Sequence, residues 1–81
     1  MSYQEIQKKI REHKVELMSP AEIMLAAAEE FGEVAQEVAL LEQIGTKENW
    51  KKKGDKERLA EEIRHTMNCL AGLANYYNLE L

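Results

Sequence analysis

Two pairs of residues at helical spacing hold the side chains of this chain best suited to bind a cation. Glu30 and Glu33 stand three apart in "AEEFGEVAQEV", and Glu62 and His65 stand three apart in "AEEIRHTMN". Residues at i and i+3 are neighbours on one face of a helix. At ~100° per residue, Glu30 falls between Ile23 and Val34, inside the apolar stripe of its helix, with Glu33 and Glu37 on the stripe's edge. Glu62 holds the matching place on a later helix, near Thr66 and Leu73. A carboxylate is costly to bury unless something pairs with it. Carboxylates held close together drive one of their number to take up a proton unless a cation lies between them. A hard divalent ion such as Mg²⁺ or Mn²⁺ accepts oxygen ligands and keeps positions for water and phosphate. Glutamates at this spacing are also common on solvated helix surfaces, and the spacing alone leaves both readings open.

Three helices must position these groups. The first is expected at 3–17, with a thin apolar stripe of Ile6, Ile10, Val15 and Leu17, packing as a lid on the other two. The second, 20–44, opens with "SPAE": Ser19 as N-cap, Pro20 at the first helical position and Glu22 at the third, with Gly45 as the stop. Gly32 lies inside it and fits either a close helix approach or no special role. A glycine-bounded, lysine-rich loop over 45–54 carries the single tryptophan, Trp50. The third helix, 55–78, has Asp55 at its start and a stripe of Leu59, Ile63, Thr66, Leu70, Leu73 and Tyr77. No segment alternates with period two, so no strand is expected. Residues 1–81 form a single all-α domain, a short N-terminal helix plus a long antiparallel helical hairpin. Two long apolar faces and one thin helix leave surface uncovered. Assembly with other subunits into a four-helix-bundle-like core, as homodimer or homotetramer, is the expected remedy.

Composition narrows the function classes. Fifteen acidic and 11 basic residues give a net charge of −4, which argues against broad nucleic-acid binding. No apolar run approaches the ~18 residues of a membrane span. The polar start "MSYQEIQKKI" has no secretory pattern, and the lone Cys69 reads as a small core residue, so the expected location is cytoplasmic. His13 reads as a surface residue and Met18, Met24 and Met67 as core filler.

At its acidic pairs the chain resembles a known family. "EEFGEVAQEV" followed by "LAEEIRHTMNCLAGLANYYNLEL" is similar to the MazG-type members of the all-α nucleoside triphosphate pyrophosphohydrolases. That family carries E-x-x-E on one helix and E-x-x-D on a later one. Glu30-Phe-Gly-Glu33 matches the first motif, and Glu62-Ile-Arg-His65 occupies the second after 28 intervening residues. The likeness runs from about Ile6 to Leu81. One position departs: His65 stands where the family has a metal-binding Asp. Imidazole is a weak ligand for Mg²⁺ and a better one for Mn²⁺, Zn²⁺ or Fe²⁺.

The resemblance implies hydrolysis of a (d)NTP to the monophosphate and pyrophosphate. Glu30, Glu33, Glu62 and His65 would hold Mg²⁺ or Mn²⁺, and Glu33 or Glu29 would orient the water. Lys52, Lys53 and Lys56 fit either a phosphate-steadying role or a solvated loop. Trp50 fits a base stack or a hairpin cap, and Asn75 a base or sugar contact or an ordinary helix end. Two other readings remain. One is a catalytically impaired MazG-like nucleotide-binding or oligomerisation module, with His65 as the lesion. The other is a di-iron carboxylate bundle, in which a homodimer supplies Glu62, His65 and Glu30 twice. Base and sugar preference are not legible.

Overall fold

The structure, a computed structural model, describes residues 2–12, 18–45 and 53–81. Three helices occupy them: α1 (Tyr3–Glu12), α2 (Pro20–Glu42) and α3 (Lys56–Tyr76), with no strand among the described residues. The expected continuation of α1 through 13–17, with His13, Val15 and Leu17, lies outside the described residues, as do 46–52 with Trp50 and Lys52.

Each helix is bounded by local chemistry. Ser2 opens α1, its hydroxyl accepting from Glu5 N–H at 3.1 Å. Ser19 and Glu22 close a reciprocal capping box on α2: Glu22 N–H donates to Ser19 Oγ at 3.2 Å, and Ser19 N–H donates to the Glu22 carboxylate at 3.1 Å. The Ser19 backbone N–H, and after it the Ser19 hydroxyl, favour the charged form and hold the Glu22 carboxyl below its usual range. Asp55 starts α3 by accepting from Glu57 N–H at 2.9 Å.

The end of α2 differs from expectation. Gln43, not Gly45, takes the left-handed conformation that closes the helix, at φ 54° and ψ 44°. Ile44 N–H then donates to Ala39 C=O at 2.9 Å and Gln43 N–H to Leu40 C=O at 3.3 Å, the crossed pair of a Schellman cap. The Gln43 side-chain amide adds a 2.7 Å bond to the same Leu40 carbonyl. Gly45 follows at φ 101°, in the turn beyond the helix. Gly54 has a different task, since a Cβ there would fall 2.5 Å from the Leu41 backbone nitrogen. Its missing side chain lets the returning chain press against the end of α2. Gly32 meets nothing within 4 Å of an added Cβ, so it serves no close approach among the described residues.

The register of α2 on α3 is antiparallel. Leu41 meets Gly54, Glu37 shares a cleft with Arg58, and Glu30 reaches His65, so one helix ascends as the other descends. The first helix packs on α3 and not on α2 among the described residues, which corrects the expectation of a lid over both. A polar lock holds it. Gln7, only 1% exposed, donates to Asn75 Oδ1 at 3.0 Å and to the Leu79 carbonyl at 2.7 Å, and accepts from Leu81 N–H at 3.0 Å. Asn75 in turn donates to the Gln7 carbonyl at 3.0 Å.

The buried apolar core is thin: Ala27, Leu40, Ala71 and Ala74 among the described residues. The stripe expected on α3 splits. Leu59, Thr66 and Leu73 are half-buried, whereas Ile63, Leu70 and Tyr77 are exposed. Having α2 on one side and α1 on another leaves α3 a third face that neither covers. A matching stripe on α2, Met24, Phe31 and Val38 at intervals of seven, is also exposed, Phe31 to 65%. The radius of gyration, 14.7 Å, exceeds the roughly 12 Å of a compact domain of this length.

The polar lock makes a stability test. Gln7→Ala and Asn75→Ala should each destabilise by about 1–3 kcal/mol, because each leaves buried partners unpaired. The double variant should lose less than their sum, by roughly 1 kcal/mol in a double-mutant cycle read by urea unfolding.

Candidate metal centre

The acidic pairs meet where α2 faces α3. One ligand atom each from Glu30, Glu62 and His65 lies within 4.8 Å of the others. His65 Nδ1 is 3.4 Å from Glu30 Oε2 and 3.9 Å from Glu62 Oε2. Exposure is graded, with the Glu62 side chain 14% exposed and His65 49%. Glu30 Oε2 and Glu62 Oε2 are both buried without a hydrogen-bond partner.

Glu33 joins through Glu62. The close approach of the Glu33 carboxylate, the partial burial of Glu62, and the nearness and repulsion of Glu30 together push the Glu62 carboxyl up to about 7. These are the effects expected of carboxyl groups forced together without a counter-charge. Nearby Cys69 is a free thiol, pushed up first by burial and then by the Glu30 charge, so it stays protonated. The donor set of two carboxylates and an imidazole, with a third carboxylate beside it, suits a small divalent cation.

Beside Glu62 lies an open cleft of about 340 Å³, lined by Glu33, Gln36, Glu37, Leu40, Arg58 and Glu62. Glu62 therefore belongs to both places, the cluster on one side and the cleft on the other. Glu37 is the deepest acid of the molecule's described part, 6% exposed, and its Oε1 has no hydrogen-bond partner. Reading the stripe edge from sequence underestimated it. The signal was available: Glu37 follows Glu33 by four and Glu30 by seven, and Arg58 precedes Glu62 by four, so each continues a face already chosen.

Other expected site residues stand apart. Glu29 is exposed on α2 and lines neither cluster nor cleft. Lys53 and Lys56 are exposed just before and at the start of α3, and neither lines the cleft. Asn75, expected to contact a base or sugar, is bonded through both ends of its amide to Gln7. It lies ten residues past His65, about 15 Å further along α3, where it holds α1 in place.

No protein-family model, no curated protein and no solved structure matches the chain.

The Glu62 environment sets a pH dependence. Its folded value lies above the ordinary 4.5, so its contribution to the metal-free fold is fully present below about 4.5 and is lost as pH rises through about 7. At fixed protein concentration, the urea midpoint of the metal-free protein should fall across this window. Glu62→Gln should flatten the slope, and so should a bound divalent cation.

Proposed function

We propose that the chain is a divalent-metal-dependent nucleoside triphosphate pyrophosphohydrolase, cleaving a (d)NTP to the monophosphate and pyrophosphate. The observation that carries the reading is the pair of buried, unpartnered oxygens Glu30 Oε2 and Glu62 Oε2, facing each other and His65 across two helices. Such a pair asks for a cation. The resemblance of the two acidic motifs to the MazG-type enzymes supplies the substrate class.

Glu30, Glu62 and His65 would hold the ion, with Glu33 beside them. When bound, Mg²⁺ or Mn²⁺ supplies charge neutralisation and Lewis-acid polarisation of a phosphoryl oxygen. Glu33 is the best-placed group to take the proton of a water attacking the α-phosphorus, because it is solvent-exposed yet close to Glu62. The Pα–O–Pβ bond breaks and pyrophosphate leaves with the electron pair. Glu29 is the poorer candidate for this base, standing outside the cleft.

The exposed stripes of α2 and α3 support a homo-oligomer in which two hairpins form a four-helix core. No helix among the described residues is long and apolar enough to cross a membrane. A lone free cysteine fits a reducing, cytoplasmic setting.

A nucleotide panel with Mg²⁺ and Mn²⁺, read by pyrophosphate release, tests the activity. Glu30→Gln should lower metal-dependent turnover at least 100-fold at unchanged or higher stability, since one like charge leaves the cluster. His65→Asp should raise Mg²⁺ affinity and Mg²⁺-supported rate, because a fourth carboxylate replaces a neutral or competing imidazole. Metal-dependent nucleotide binding without any pyrophosphate release would instead mark the impaired module that His65 raises.

Assembly has its own test. Sedimentation at micromolar concentration should give a dimer or tetramer, and Phe31→Glu should shift it toward monomer or unfolded chain. A stable folded monomer of the unsubstituted protein would overturn this part.

A further inference from the structure

We infer that the cleft beyond Glu62 is a nucleobase pocket in which Glu37 accepts a hydrogen bond from an exocyclic amino group, so that cytosine or adenine is preferred to uracil or thymine. The inference rests on the pyrophosphohydrolase reading and adds a base preference to it.

Glu37 Oε1 is the motivating atom. It is buried and unpartnered, its residue is only 6% exposed, and it lines the cleft rather than the apolar interior alone. Leaving a carboxyl oxygen in that condition is unfavourable, and a donor is needed to relieve it. A second metal ion is a poorer occupant. The three-ligand group that geometry brings together is Glu30, Glu62 and His65, and Glu37 stands outside it.

The cleft's other walls suit a flat, partly apolar ring. Leu40, almost wholly buried, gives an apolar floor. Arg58 is exposed on the facing helix with a planar guanidinium able to stack on an aromatic face. Gln36 adds an amide that can both donate and accept. Leu40 is the one apolar residue of this lining, so recognition in the cleft rests on hydrogen bonding more than on apolar contact. Length agrees as well. Glu37 lies seven residues beyond Glu30, about 10 Å of helix rise, which is on the order of the span from an α-phosphate across a sugar to the far edge of a base.

The preference follows from the single atom. A carboxyl oxygen accepts an amino N–H but repels the carbonyl that uracil and thymine present at the same ring position. A hydrogen bond to a charged acceptor corresponds to roughly a tenfold or greater difference in affinity.

The test is calorimetric binding of deoxycytidine and deoxyuridine monophosphates to the intact protein with saturating Mn²⁺, a readout independent of hydrolysis. The unsubstituted protein should prefer deoxycytidine monophosphate about tenfold or more. Glu37→Gln should reduce the ratio to within roughly threefold, with folding checked by circular dichroism. Arg58→Leu, at an exposed site, should weaken both ligands together and leave the ratio intact. Equal binding of the two by the unsubstituted protein overturns the pocket, as does a ratio unchanged by Glu37→Gln. Loss of one of two bound Mn²⁺ ions in Glu37→Gln overturns it in favour of a cation subsite. Absence of pyrophosphate release from every triphosphate, with the monophosphate preference still present, would fell the hydrolase reading and leave the pocket standing.

Discussion

Like charge brought together between two helices is the constraint on which this molecule turns. Glu30 and Glu33 from α2 approach Glu62 from α3, and one of the three answers by holding its proton up to about pH 7. Such an arrangement persists only if the rest of the hairpin fixes it. The capping box at Ser19 and the Asp55 cap set where the two helices begin. The close seat of Gly54 on Leu41 sets how they align. A slip of one residue on α3 would turn Glu62 by ~100° and break the cluster.

The same hairpin is poor in the usual source of stability. Three alanines and one leucine are its fully buried apolar residues among those described, while Phe31, Val38, Ile63 and Leu70 stand exposed. Small side chains where α3 is enclosed permit close helix approach and bury little area each. The large side chains point outward, away from the cluster. The acidic cluster thus occupies the inner face of the hairpin, and the exposed apolar side chains occupy the outer faces.

Much of this was legible in the sequence. The all-helical class, the three elements, the Ser19–Pro20–Glu22 start of α2 and the Asp55 start of α3 follow from caps and period. So does the meeting of Glu30, Glu33, Glu62 and His65, because helical spacing and an antiparallel hairpin leave few alternatives. The rest depended on tertiary context. Gln43 adopting the left-handed cap is a choice made by the Schellman bonds, where glycine would have been the local expectation. The exposure of Ile63 and Leu70 follows from α1 packing on α3 alone, and no periodicity within α3 reveals which neighbour sits on which face. Asn75 looked like any helix-end asparagine until Gln7, 68 positions earlier, was brought beside it. Glu37 was visible as a stripe-edge acid, and only the packing of Leu40 and the approach of α3 buried it.

The attachment of α1 to α3 through the Gln7–Asn75 lock gives the molecule a mechanical division. The lock sits about 15 Å along α3 from His65, and α1 has no contact with α2 among the described residues. Opening of α1 would therefore release the end of α3 and the residues around Leu79 without passing strain to the acids. Subglobal opening at that end and the geometry of the cluster are separable modes. Any change in the first helix must still present a carboxamide to Asn75 and keep Ile6 and Ile10 half-buried.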